Sequence, residues 1–410
     1  MTMHVENTGP LRGLRVFDMT RILAGPSATQ ILGDMGADIL KIEKPQEGDD
    51  TRKWGPPYLK DRSGNDTTES AYYLSANRNK RSVTLDFTKP EGPDLAKKLL
   101  KNCDILVENF KTGTLDKYGL GYDQLKEEFP KLVYCSLTGF GQNGPYKDLP
   151  GYDYLIQGMG GIMGLTGPAD GAPHKIGVAY CDLLAGLYAV NGILGAVYHR
   201  EKTGKGQFVD LALLDAQVAT LSNAGQYYLT SGEVTPRMGN AHPTIVPYEA
   251  FMAKDGYIIL AVGNDRQFEA FCDFADMQEF AKDARFARNA DRVKNRKELV
   301  PAIRKTIATQ TMQYWMEGLG KRGVSCGPVN TVDRVFANEQ VRARGMVTEM
   351  EHPLSQKALR LISSPLRFSD TPVSYRRAPP ALGQDTEDVL TAELSMTPDD
   401  ILTLRQKGVV

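Results

Sequence analysis

Asp182 is the residue of this chain best placed to do chemistry. It lies within KIGVAYCDLLAGLYAVNGILGAVYHREKTGKGQFVD, residues 175–210, where it opens an apolar, small-residue helix whose far end is basic and then Gly-punctuated. The first turn of a helix offers unpaired N–H groups and the positive end of the macrodipole, which should keep a carboxylate there ionised and in one orientation. An ionised, oriented carboxylate can act as a covalent nucleophile. Asp is equally a preferred N-cap, so the local pattern also admits a purely structural role. Cys181, beside it, is a second nucleophile candidate, set against the commoner role of a small buried thiol.

Other motifs are weaker in context. GFGQNG, Gly139–Gly144, has the spacing GxGxxG after a strand, but Pro145 and YKDLPGYDY follow where a dinucleotide fingerprint needs a helix. A Gly-rich loop at a strand end still lets backbone N–H groups approach an anionic ligand. GVSCG, Gly323–Gly327, matches the hydrolase elbow GxSxG with Asp333 and His352 downstream, yet Gly327-Pro328 follows where a helix must start. AGPSATQILGDMGAD places Gly25-Pro26 before a helix expected from Ser27, and such a helix start can receive an anion. Arg78, Lys80 and Arg81 in NRNKRS read as a solvated strand end or a phosphate clamp. His4, His174, His199, His242 and His352 never reach metal-ligand spacing, so no metal is expected.

The elements that would position these residues are legible. LRVFDM, DILKIE, RSVTLDF, DILVENF and KLVYCSL read as strands, separated by helical SATQILGDMGA, PDLAKKLLKN and YDQLKEEF. Strands alternating with helices imply right-handed βαβ units around a parallel sheet. QFVDLALLDAQVA adds a strand running into a helix, and YEAFMAKDGYIILAVG a hairpin around Asp255-Gly256. The expected organisation is an α/β large domain over 1–228, a linker over 229–246, a smaller α+β domain over 247–325, and a return to the large domain over 326–410. The apolar run Leu183–Tyr198 falls short of the ~20 residues that span a bilayer and reads as a buried helix. Gly186, Gly192 and Gly195 would let another backbone approach it, from the same or a second subunit.

Composition narrows the partners. A chain of 410 residues with 49 basic and 50 acidic side chains offers no net field for nucleic acid or an anionic membrane. Five cysteines, with no CxxC, fit a reducing compartment, and the N-terminus has no apolar leader, so the cytoplasm is the expected location.

Several segments together resemble one family. LRVFDMTRILAGPSATQILGDMGADILKIEKP, NRNKRSVTLDF, DILVENF, TGFGQNGP and GVAYCDLLAGLYA followed by REKTGKGQ are similar to family III CoA-transferases (CaiB/BaiF family) along essentially the whole chain. The resemblance implies a Rossmann-like large domain, a linked smaller domain and an interlocked homodimer. It makes Asp182 the catalytic aspartate and coenzyme A, carried as an acyl-CoA, the substrate. It carries CoA contacts over to Leu23, Ala24, Lys44, Leu85, Asp86, Phe87 and Thr88. Asn109, Phe110, Lys111, Lys117, Thr138, Gly139, Phe140 and Gly141 complete the set. Two departures stand out: Thr138 replaces the lysine of formyl-CoA transferases, and their run of glycines over the active site is absent near 239–263.

The implied chemistry is attack of Asp182 on a thioester, giving an aspartyl anhydride and then an aspartyl-CoA thioester, in a site that excludes water and donates N–H groups to the oxyanion. The Gly-rich loops are the candidate donors. α-Methylacyl-CoA racemases resemble this fold too but use a histidine in a GHD segment, which here reads Gly151-Tyr152-Asp153. A tyrosine, with a pKa near ~10, is a poor base at neutral pH. A formyl-CoA or other acyl-CoA transferase, or a non-catalytic acyl-CoA binder, remains as a further alternative. GDDTRKWGPPY, IVPYEAF, GNDRQF, SCGPVNTVDRVF and EMEHP most resemble the succinate-hydroxymethylglutarate (glutarate) CoA-transferase branch, which implies short dicarboxylic acids as partners. A second carboxylate needs a cation, for which Arg52, Arg78 and Arg237 are candidates.

Overall fold

A computed structural model describes residues 6–410, and His4 lies outside them. In chain order the first elements are β1 (Arg15–Asp18), α1 (Ala24–Asp34), β2 (Asp38–Glu43), the β3 (Tyr58–Lys60) and β4 (Asp66–Ser70) hairpin, α2 (Ala71–Ser75) and β5 (Lys80–Thr84). There follow α3 (Gly92–Leu100), β6 (Ile105–Glu108), α4 (Tyr122–Leu125), β7 (Val133–Thr138), α5 (Asp153–Met159) and α6 (Ile162–Leu165). Next come α7 (Tyr180–Thr203), β8 (Phe208–Ala212) and α8 (Leu213–Ala219).

Six strands form one sheet in the order β5-β2-β1-β6-β7-β8, and every pairing in it is parallel. The chain builds outward from β1 in one direction and then returns to build from β6 in the other. That reversal opens a crevice at the carboxyl ends of β1 and β6, where doubly wound folds bind ligands. The two-residue period of the strands sorts side chains to two faces. Val16, Ile39, Ile105, Val107 and Val133 join a core with Ala28 and Leu32 of α1 and Ala185, Ala189 and Ile193 of α7. Phe17, Leu40, Val83, Leu106 and Tyr134 point the other way, onto Leu95 and Leu99 of α3 and onto Val389, Leu390 and Ile401 from the C-terminal helices.

Gly186 shows why α7 is rich in small residues. A Cβ there would overlap Ser27 Oγ and the carbonyl of Ala24, so only glycine lets α7 lie against the first turn of α1. Asp182 is four residues earlier, on the same helix face. The crossing therefore places the carboxylate beside the start of α1. That helix begins at Ala24 rather than at Ser27, with Gly25-Pro26 inside its first turn, where proline's missing N–H has no helical partner to lose.

α7, expected as a buried helix, is covered on one face only. It runs for 24 residues, long and apolar enough by those measures to cross a membrane, and packs one face on α1, β7 and β8. Leu183, Leu187, Tyr188 and Tyr198 form an exposed stripe on its other face.

Two compact units account for the described chain. The larger comprises 6–162, 176–226 and 343–410, including an antiparallel β12 (Val347–Met350) and β13 (Leu359–Ile362) pair. The smaller comprises 163–175 and 227–342. It thus takes in 163–175 and runs to 342, where the sequence pattern placed its limits at 247 and 325. Its antiparallel sheet, from β9 (Tyr248–Ala253), β10 (Gly256–Ala261) and β11 (Ser325–Pro328), follows the order β11-β10-β9 and covers a separate core of Phe251, Ile258, Phe268, Ile303 and Trp315. Ser325 opens β11 rather than a helix, and the next helix starts only at Val332, so GVSCG is not a nucleophile elbow.

Candidate active site

Asp182 is the third residue of α7, and the helix has no side-chain cap from Ala179 before it. The cap comes from α5: the Asp153 carboxylate accepts from the backbone N–H of Cys181 at 2.8 Å and of Asp182 at 3.4 Å. Gln157 Nε2 donates to the other Asp153 oxygen at 2.8 Å and fixes the carboxylate in that position. Asp182 is therefore neither the cap nor the beneficiary of free helix N–H groups.

Its electrostatics differ from the expectation of a permanently ionised group. Asp182 is 7% exposed, and burial together with the nearby Asp153 charge pushes its carboxyl up to about 7. Desolvation outweighs the helix end, because Asp153 has taken up the N–H groups and added a like charge. Asp153→Asn keeps an oxygen acceptor for both N–H groups but removes the charge. The acid limb of the pH–activity profile should then move to lower pH, and an unchanged limb in kcat/KM would show that the Asp153 charge does not reach Asp182. Tyr72 stays a neutral neighbour: burial and the charges of Asp182, Asp153 and Asp49 push its phenol up to about 12.

Asp182 lines a cleft of about 450 Å³ at the β1–β6 crevice. The same cleft is lined by Ala24, Asn109, Phe110, Lys111, Thr138 and Gly139, six of the sequence-derived CoA contacts. A second cavity, of about 200 Å³, is lined by Lys44, Leu85, Asp86, Phe87 and Thr88. Arg21, Asp50 and Phe110 line both, so the two are adjoining parts of one path. Leu23, Lys117, Phe140 and Gly141 line neither. Leu23 caps α1, Lys117 lies in a short turn at Leu115–Tyr118, and Phe140 packs edge-on against Tyr146.

Hydrogen bonds hold the crevice open in one shape. Asn109 Oδ1 accepts from the Arg21 N–H at 2.9 Å and its Nδ2 donates to the Arg21 carbonyl at 2.7 Å, clamping the loop after β1 to the end of β6. Asp49 Oδ1 accepts from the Ile22 N–H at 3.2 Å, where the backbone is left-handed (φ 70°). The other Asp49 oxygen accepts from Lys41, fully buried, at 3.0 Å. In the Gly-rich loop the Gly141 N–H donates to Thr138 Oγ1 and that of Gln142 to Asp210, so these two are not oxyanion donors.

Other expectations are corrected by the same contacts. Arg78 and Lys80 are not a solvated strand end: Arg78 grips Asp34 through two nitrogens, and Lys80 pairs with buried Asp18 at 3.1 Å. Arg52 is saturated by Glu43, Glu69 and the Tyr73 hydroxyl. Neither Arg52 nor Arg78 can therefore hold a substrate carboxylate, while Arg237 spends its guanidinium on the Pro168 and Gly171 carbonyls. The Cys181 thiol is buried, donates to Gln217 and is pushed up to about 12, which leaves it inert as a nucleophile. Asp153, Asp49, Trp54, Tyr72 and Lys147 were not singled out from sequence.

Residues 11–386 match the model of CoA-transferase family III. The chain belongs to that family. It is 44% identical over 406 residues to a succinate–glutarate CoA-transferase of Agrobacterium fabrum, covering 97% of this chain and all of that one. It is 42% identical to the human succinyl-CoA:glutarate CoA-transferase over 99% of this chain and 91% of that one. Among solved structures, a CaiB/BaiF family protein from Brucella suis superimposes with a TM-score of 0.85 at 45% identity, over 94% of this chain and 100% of that one. The protein is thus a family III CoA-transferase, an enzyme.

Proposed function

We propose that this CoA-transferase moves CoA from succinyl-CoA to glutarate or a similar short dicarboxylate such as hydroxymethylglutarate, with Asp182 as covalent nucleophile. The observation that carries the reading is the position of a buried carboxylate, its pKa raised by desolvation and by Asp153, in a cleft that shares lining residues with the cavity of Lys44 and Leu85–Thr88. A thioester presented at Asp182 leaves the nucleotide end of CoA running toward that second cavity. The names of the relatives in Agrobacterium and human support the acids.

The chemistry then follows from one carboxylate. An Asp182 oxygen attacks the thioester carbonyl and expels CoA thiolate, forming a mixed anhydride. The thiolate attacks the Asp182 acyl carbon, releasing succinate and leaving an aspartyl-CoA thioester. The acceptor carboxylate attacks that thioester, and the expelled thiolate attacks the acceptor's acyl carbon, which frees Asp182. Each step keeps the acyl energy only while water is excluded, as burial of Asp182 favours.

We also read the enzyme as a cytoplasmic, interlocked homodimer. The exposed stripe of Leu183, Leu187, Tyr188 and Tyr198 on α7, with Tyr154 and Met159 of α5 exposed, is the kind of apolar surface a second subunit covers. The free cysteines fit a reducing setting.

Incubation with succinyl-CoA and a panel of mono- and dicarboxylic acids, read by mass of the CoA esters, tests the function. Glutaryl-CoA should form with loss of succinyl-CoA. Transfer to no acid, with racemisation of a 2-methylacyl-CoA instead, would overturn it.

A further inference from the structure

Two carboxylates line the cleft, Asp182 and Asp50, so a dianionic acid entering it meets like charge and needs a cation. Three cationic side chains line the same cleft: Arg21, Lys111 and Lys147. Arg21 is matched by Asp50 at 3.1 Å and lies over the Phe110 ring, 5.2 Å from its centre. Lys111, a CoA contact by the family resemblance, lies three residues past the end of β6 and also lines a separate cavity with Glu108 and Tyr134. Lys147 is exposed and carries no ion pair among the described residues.

Lys147 sits on a loop whose two ends are pinned together. Gly139 and Gly151 pack backbone to backbone, so closely that a Cβ on either would overlap the other's Cα. Between them the Leu149 N–H donates to the Tyr146 carbonyl at 2.9 Å, and Gln142 Nε2 donates to Ser136 Oγ at 2.9 Å. The glycine contact thus closes the loop at its base, while residues 143–150, Lys147 among them, lie exposed along it. Its wall continues through Leu149, Pro150 and Tyr152 along the cleft and enters α5 at Asp153, the residue bonded to the Asp182 backbone.

We propose that Lys147 is the specificity-determining cation that receives the distal carboxylate of the dicarboxylic acid, both in the acyl group of the donor and in the acceptor. This rests on the transferase reading above and adds the residue that selects a diacid over a monoacid. The proximal carboxylate reacts at Asp182 while the ammonium of Lys147 neutralises the far end. Lys111 serves the CoA moiety, which is common to every substrate.

The test compares glutarate with valerate, a monoacid of the same chain length, as acceptors for the full-length enzyme with succinyl-CoA as donor. Loss of one charged hydrogen bond should lower the glutarate-to-valerate ratio of kcat/KM roughly ten- to hundredfold in Lys147→Met. Lys147→Arg should restore most of the ratio, whereas Lys111→Met should depress both acceptors and leave the ratio in place. Thermal midpoints report whether each variant is folded, and Lys147→Gln serves as the second neutral variant. A wild-type ratio in Lys147→Met and Lys147→Gln, or collapse of the ratio in Lys111→Met instead, overturns the assignment while the transferase reading stands. Failure of the wild-type enzyme to use any dicarboxylate sinks both.

Discussion

Asp182→Asn should lose at least about a thousandfold in CoA transfer, as removal of a covalent nucleophile does, and at pH 8 should also be more stable than the parent enzyme. The second half follows from the same burial that tunes the residue. The Asp182 carboxyl is raised to about 7 by desolvation and by Asp153, so the folded state binds its proton more tightly than the unfolded chain does. For an acid with a raised pKa, stability is fully present below the ordinary carboxylate range and is lost as pH climbs through the folded value. By pH 8 the ionised carboxylate costs the fold on the order of 2 to 4 kcal/mol. Asparagine carries no such cost. Urea denaturation of both proteins at pH 5 and pH 8 should therefore show a larger gain for the variant at the higher pH. A variant that is inactive and equally destabilised at both would mean that Asp182 is held by contacts its charge does not weaken. CoA binding, measured by calorimetry, should persist in Asp182→Asn, since Lys44 and the Leu85–Thr88 loop lie in the other cavity.

Where each part of the site could be seen in the sequence depends on how local its cause is. The strands of the large sheet are legible because alternation over four to six residues decides which core each side chain joins, as in DILKIE, which is β2 from end to end. The Asp255-Gly256 hairpin and the strand-to-helix passage at Ala212-Leu213 are local for the same reason. Asp182 stands out because an acid is rare in an apolar, small-residue helix. Its cap does not stand out: Asp153 is separated from it by 29 positions, and only the packing of α5 on α7 brings the two together. Arg78, Lys80 and Arg52 look like ordinary surface cations in sequence, because the acids that bury them, Asp34, Asp18 and Glu43, lie on other elements. The exposed face of α7 is equally hidden, since an apolar, small-residue helix does not record which of its faces the rest of the chain packs against.

Asp49→Ala should be the most damaging change outside the cleft. Lys41 is fully buried, pairs with Asp49 at 3.0 Å, donates to the Thr20 carbonyl at 3.0 Å and also feels the charges of Asp18 and Glu43. Removing Asp49 takes the bonded partner from a buried charge and leaves only the more distant Asp18 and Glu43 to offset it, at a cost of up to about 3–5 kcal/mol. Thermal or urea unfolding measures that directly. The same substitution should also raise KM for the acyl-CoA, because Asp49 Oδ1 accepts from the Ile22 N–H and from Thr51, and holds Ile22 at φ 70° where a β-branched residue is strained. Ile22 lines the cleft two residues before Ala24, so its release loosens the wall on which the thioester rests. The two effects can be separated. Asp49→Leu with Lys41→Met replaces the ion pair by apolar side chains and should recover much of the lost stability, because no buried charge is then orphaned. It cannot restore an acceptor for the Ile22 N–H. The double variant should thus unfold close to the parent enzyme yet keep the raised KM; recovery of both together would show that the ion pair acts on catalysis only through the stability of the fold.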